Sequence, residues 1–208
     1  MTIREHNKAT NRRKILDAAK ALMQEGGLEA LSMRALAERA NVSSRTPYNL
    51  FGSKTAVLIG LLDAPLAQLE AAVPSSDGVL LTLLGMLEPA WRAYAPELDY
   101  YRHIYWGIMS SDQPEARAGE LVRIRLMLEP VLALAIEVGE LVDADAHALA
   151  NHLVLLGLGL LGLWASNLMD GPELLAHMRE ALGRGLQAHA SDVLRAKIDT
   201  ALAKHTSI

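Results

Sequence analysis

Between Ser32 and Lys54 the chain carries a sequence of caps and stops that few folds accommodate. Ser32 is a good N-cap, because its hydroxyl can accept one of the orphan N–H groups of a first helical turn. Behind it, Met33, Leu36, Ala37 and Ala40 recur at helical spacing. Asn41 stands where that helix must stop, and after glycine it is the residue that best tolerates a left-handed C-cap. Val42 follows as a single apolar plug, and Ser43 can cap a third helix read as Ser44 to Leu50. A short helix, a turn of about three or four residues and another short helix make a helix-turn-helix. The third helix is too short to persist alone. Leu50 and Phe51 are therefore expected to anchor it, which leaves Ser44, Arg45, Thr46, Tyr48 and Asn49 facing outward. Gly52 breaks the chain, and Ser53 caps a fourth helix expected to reach Ala72 with a bend at Pro65.

The rest of the chain reads as helix too. Ile15, Ala18, Ala19, Leu22 and Met23 form one apolar stripe, with Arg12, Arg13, Asp17 and Lys20 off it, and Gly26-Gly27 should end that helix. After a loop at 74–78, helices are expected at 79–95, 97–110, 115–139, 143–169 and 173–204. They are separated by Pro96, Ser110-Ser111-Asp112, the 140–142 connection and Asp170-Gly171-Pro172, and Pro130 is expected to kink or split the long 115–139 stretch. With 51% hydrophobic and 21% charged residues the chain is globular. Leu and Ala dominate, and runs of β-branched residues are few, so the fold class is all-α with about nine helices.

Charge is unevenly placed. Residues 1–54 hold ten Lys/Arg against five Asp/Glu, net +5, while the remaining residues carry net −9. A basic quarter on an acidic remainder suits a first part that meets phosphate. There is no cysteine, which excludes disulfides and thiolate chemistry and fits a cytoplasmic protein. The basic opening has no apolar core and does not read as a signal peptide. The apolar run 153–165 reads as a buried helix too short to span a bilayer, so no membrane partner is expected.

The segment Ala40-Asn41-Val42-Ser43-Ser44-Arg45-Thr46-Pro47-Tyr48-Asn49-Leu50-Phe51-Gly52-Ser53-Lys54 resembles the signature of TetR-family regulators, matching it at Val42, Ser43, Thr46, Tyr48, Phe51, Ser53 and Lys54. Pro47 departs from the usual Leu and Leu50 from a common His; proline is tolerated in a first turn. The resemblance covers the first quarter of the chain. It implies a DNA-binding domain over 1–54 and a ligand-binding and dimerisation domain over 55–208. A recognition helix of this kind enters the major groove. Arg45 and Asn49, four apart, share a face and can pair with guanine and adenine, or simply be solvated. Thr46, Tyr48 and Lys54 are expected on phosphates, Lys54 at a helix start where charge and dipole agree. Arg34, Arg12 and Arg13 are further candidates, and Ser43 and Ser44 complete the expected DNA-binding set.

Expectations for the second domain are looser. Trp91, Tyr94, Tyr100, Tyr101, Tyr105, Trp106 and Met109 crowd the middle helices, with Met127 and His152 as neighbours, and as a group they are the pocket candidate for a small-molecule inducer. Taken singly, each reads better as ordinary core. His147 and His152 do not share a helix face, so no metal site is expected. The GLGLLG run at 157–162 follows no strand and is no dinucleotide motif. No cofactor and no catalysis are expected. With Leu174, Leu175, Met178, Leu182 and Leu186, that run is the expected homodimer face, the last two helices forming a four-helix bundle. The function implied is a ligand-released repressor on a near-palindromic DNA operator. The alternatives are a helical small-molecule-binding protein or enzyme without DNA binding, and an activator of the same fold.

Overall fold

The computed structural model describes residues 2–63, 78, 83, 87, 91 and 95–203. Among them are nine α-helices, one 3-10 helix and no strand. The helices are α1 (Ile3–Ala30), α2 (Met33–Arg39), α3 (Arg45–Phe51), α4 (Lys54–Leu61), α5 (Leu98–Met109), α6 (Pro114–Glu137), α7 (Ala146–Ala165), α8 (Gly171–Gln187) and α9 (Asp192–Ala203). The continuation of the fourth helix, Pro65, Tyr94 and nearly all of the helix expected at 79–95 lie outside the described residues.

Two compact units result: Met1–Ala64 with Glu97–Arg117, and Pro65–Pro96 with Ala118–Ile208. The sequence placed a boundary after residue 54. In the folded chain the first unit also takes in α4 and the aromatic helix α5. Gly107 lies where α5 approaches α1 and α4: a Cβ there would sit 2.7 Å from methyl carbons of both Leu28 and Leu58 and would have to push those methyls aside. Polar pins flank that approach. Lys20 and Gln24 each donate to Glu97 at 3.0 Å, and the hydroxyls of Thr55 and Ser111 pair at 2.7 Å. Ile15, Leu36, Val57, Leu58 and Ile104 are buried in this unit, each stabilising it by roughly 1.5–3 kcal/mol relative to exposure.

α1 breaks where expected: Gly26 and Gly27 are both non-helical, Gly27 at φ 63°, before the helix resumes to Ala30. Asn41 is left-handed at φ 51°.

In the second unit, α7 and α8 pack as neighbours and α9 folds back on α8. Asp145 caps α7 through the Ala148 N–H at 3.0 Å, and α8 opens on a capping box between Asp170 and Glu173. α6 continues through Pro130 without a break in helix assignment. Leu83, Leu132, Leu149, Leu153, Leu186 and Ile198 belong to one buried cluster. The single helix expected over 173–204 is in fact two. The chain leaves α8 after Gln187, and the Val142 N–H donates to the His189 carbonyl at 2.8 Å while the Ser191 N–H donates to the Glu140 carbonyl at 2.9 Å. That short antiparallel bridge, Leu141 to Ala190, replaces a turn of helix.

α7 is 20 residues long, where its apolar part had read as too short to span. By length and composition alone it could cross a membrane, and a third of its most apolar window is buried within the chain.

Candidate nucleic-acid interface

The turn between α2 and α3 is built from local hydrogen bonds. Ser32 accepts from the Ala35 N–H at 3.1 Å and starts α2. The Val42 N–H returns to the Ala37 carbonyl at 3.0 Å, closing the left-handed turn at Asn41. Ser43 does not cap α3 as expected. Its hydroxyl pairs with that of Thr46 at 2.8 Å, its carbonyl accepts the Thr46 N–H at 2.9 Å, and Ser44 is the N-cap residue without a side-chain hydrogen bond. The helix therefore begins at Arg45 and runs one residue past Leu50, to Phe51.

Pro47 is buried, and Leu50 and Phe51 are half-buried on the inward side. The buried proline fills the place of an apolar anchor while costing little hydrogen bonding so near the helix start. Ser44, Arg45, Tyr48 and Asn49 are exposed, Tyr48 to 57%, and Thr46 is half-buried. A phenol so exposed on a short helix is available to a partner and contributes little to the core.

The other basic candidates are placed differently. Lys54 is half-buried, and its ammonium donates to the Leu28 carbonyl at 2.7 Å, so it closes the end of α1 rather than standing free at the start of α4. Burial pushes its pKa down, with the Glu29 carboxylate acting in the opposite sense. Arg12 reaches Asp63 at 3.1 Å and lies 4.4 Å over the Phe51 ring. Arg34 is exposed at the start of α2 in an i,i+4 pair with Glu38 at 2.9 Å. Arg39, not singled out in the sequence, pairs with Glu25. Arg13 is exposed.

The pocket candidates fall in both units. Tyr100, Tyr101, Tyr105, Trp106 and Met109 sit on α5 in the first; Trp91, Met127 and His152 belong to the second. Tyr101 is buried and meets Tyr100 edge-on at 5.0 Å, whereas Trp106, Met109 and His152 are exposed and Met127 packs on the second unit's core. No group of His, Asp and Glu among the described residues could hold a metal.

Of the residues expected on the homodimer face, several are taken up within the chain itself. Leu174 and Leu186 are buried in the chain's own core, and Leu182 packs on it. The close approach of α7 and α8 is made by Gly185, where a Cβ would sit 2.6 Å from Leu153, while Gly159 faces open space. What α7 and α8 expose is a shallow apolar groove along Leu155, Leu156, Gly159 and Leu163, edged by His177 and Glu180.

A helix-turn-helix with a polar outward face has the form of a DNA-binding module. Residues 15–61 match the profile of bacterial regulatory proteins of the tetR family, about a quarter of the chain. It is similar to the HTH-type transcriptional repressor KstR of Mycobacterium tuberculosis (40% identical over 65 residues, 31% of this chain and 30% of that protein). KstR of Rhodococcus jostii is 43% identical over 67 residues, 32% of each chain. The match thus spans about a third of these relatives' length. Along nearly the whole chain the fold resembles TylP of Streptomyces fradiae (TM-score 0.66, 20% identity, 96% of this chain and 99% of that one). It also resembles FadR of Thermus thermophilus, solved with lauroyl-CoA (TM-score 0.68, 22% identity, 85% and 93%).

Proposed function

We propose that this protein is a ligand-responsive transcriptional repressor that binds a near-palindromic operator as a homodimer and leaves it when a small molecule binds its C-terminal domain. The observation that carries the reading is α3, fixed from inside by Pro47 and Phe51 and presenting Arg45, Tyr48 and Asn49 to solvent. Arg45 and Asn49 suit base edges in the major groove; Ser43, Ser44, Thr46 and Tyr48 suit phosphate oxygens, and Arg34 and Lys54 would join them only by giving up Glu38 and the Leu28 carbonyl. In this reading residues 1–54 hold the DNA contacts and 55–208 the ligand and dimer functions, and the protein acts in the cytoplasm. Repression, rather than activation, follows the KstR relatives, which are repressors.

Two copies related by a two-fold axis would place two recognition helices about one DNA turn apart. The apolar groove on α7 and α8 suits such an interface, because a second copy would cover Leu155, Leu156 and Leu163 with the same residues. A ligand releases the dimer only to the extent that it prefers the state not competent for DNA. FadR, solved with lauroyl-CoA, and SmeT, whose fold is also similar (TM-score 0.62, 22% identity, 88% of this chain and 93% of that one) and which was solved with triclosan, suggest apolar ligands, acyl chains or small aromatics.

The test is a gel shift with the DNA upstream of the protein's own gene, repeated with an acyl-CoA and with triclosan. Retardation that either molecule reverses is the expected result. No retardation at low salt overturns the reading; retardation that no apolar ligand relieves overturns the release step alone.

A further inference from the structure

Resting on the DNA-binding reading above, we propose that the exposed first turns of α1 form a second phosphate-binding surface, in which Arg4 and Lys8 extend the grip on double-stranded DNA beyond the recognition helix.

The body of the first unit takes hold of α1 only at Arg12, which is fixed between Asp63 and the Phe51 ring; Ile15 is the first fully buried side chain. Before that point Thr2 and residues 4–9 are exposed. From Arg4 to Arg12 the helix thus advances about 12 Å, at 1.5 Å per residue, with no apolar side chain buried. A helix segment without tertiary contacts is marginal in water. Here it is secured at its end: the Thr2 N–H donates to the Glu5 carboxylate at 2.7 Å and the Glu5 N–H to the Thr2 hydroxyl at 3.3 Å. Glu5 is the one acidic residue before Asp17, so the only negative charge on this stretch serves the cap.

Ion pairing decides which of the basic side chains are free for a polyanion. Of the ten Lys and Arg in residues 1–54, Arg12, Lys20, Arg34 and Arg39 are in ion pairs and Lys54 is committed to the Leu28 carbonyl. Among the described residues, Arg4, Lys8, Arg13, Lys14 and Arg45 are in no ion pair. The positive charge left for a polyanion is therefore concentrated on the early part of α1 and on the recognition helix. Arg4 and Lys8, four apart, share one face of α1. Long cations on a protruding helix suit phosphates, which position a protein without reporting sequence.

The test is the salt dependence of binding by the full chain to an operator duplex and to an unrelated duplex. For every phosphate that a protein ceases to neutralise, the steepness of log K against log salt falls by about 0.9. The double variant Arg4→Ala, Lys8→Ala should reduce the slope by about 2 per protomer and weaken both duplexes by the same factor, while Arg4→Lys with Lys8→Arg keeps the slope. Alanine retains the helix, which circular dichroism checks. An unchanged slope in the alanine variant, with the unaltered chain binding DNA in a salt-dependent way, overturns this inference and leaves the functional reading standing. If the unaltered chain binds neither duplex at low salt, both fall.

Discussion

The ammonium of Lys54, at the first residue of α4, donates to the backbone carbonyl of Leu28 near the end of α1, 2.7 Å away. The same carbonyl accepts the Leu31 N–H at 3.4 Å. Lys54 thereby joins the two helices that flank the helix-turn-helix. Replacing it with methionine keeps the aliphatic stem and removes the bond, at a cost of about 1–2 kcal/mol given the strength of charged hydrogen bonds at a half-exposed site. Urea unfolding of Lys54→Met measures this, and an unchanged midpoint would show that the link contributes nothing to stability.

Arg45 and Asn49 are exposed on α3. Arg45→Ala and Asn49→Ala are each expected to lose about 1–3 kcal/mol of operator affinity and to relax preference at one base pair. Their thermal midpoints should stay close to that of the parent. Binding to a panel of single-base operator variants reads this directly; uniform weakening across the panel would reassign the residue to phosphate.

Asn41 holds a left-handed conformation that glycine shares at no steric cost. Asn41→Gly should shift stability by only a few tenths of a kcal/mol, since Gly is nearly equivalent at such a cap, and Asn41→Val should cost about 1–3 kcal/mol. Thermal denaturation of the pair checks the ordering.

Burial raises the pKa of Tyr100, with the neighbouring Tyr101 and Glu97 adding to the effect, and burial likewise raises that of Tyr101. In the unfolded chain these phenols ionise near pH ~10, so above that pH the folded state holds more protons than the unfolded one. Stability is therefore lost as pH rises past about 10. Lys54, shifted the other way, sheds its proton earlier in the folded state and partly offsets that loss below its ordinary pKa. Tyr100→Phe should make the alkaline loss shallower, which denaturant titrations across that pH range would reveal.

Leu155 and Leu163 lie two turns apart on α7, 64% and 43% exposed. If a second copy covers them, Leu155→Glu with Leu163→Glu yields a folded monomer in sedimentation and weakens operator binding. A variant that still sediments as the parent removes this groove from the dimer interface.

The helix-turn-helix was legible because its determinants are local. Ser32, Asn41, Ser53 and the paired glycines 26 and 27 act within a few residues of themselves, and each does what its chemistry predicts. Ser43 is the local exception, its hydroxyl turning to Thr46 instead of capping α3; the other failures come from non-local interactions. Nothing in the spacing of Lys54 reveals that a carbonyl 26 positions earlier takes its ammonium. The aromatic residues of α5 read as a ligand pocket by composition, yet in the folded chain they lie in the first unit, against α1 and α4. One missed feature did have a local signal: Ser191-Asp192 is a helix start, and Ser191 accepts from the Leu194 N–H at 3.4 Å. That signal is outweighed by a long run of helix-forming residues on either side.

The bridge from Leu141 to Ala190 also bears on the order in which the second unit assembles. Its two sides are separated by all of α7 and α8, a loop of about fifty residues, whose closure must be compensated before the pairing yields anything. The hairpin of α7 and α8 needs no such closure and can form first. α9 begins immediately beyond the bridge and is held by Leu194 and Ile198 in the shared core, so its docking is expected to come last. Its amides should then be the earliest in the unit to exchange with deuterium, well before those at the centre of α7.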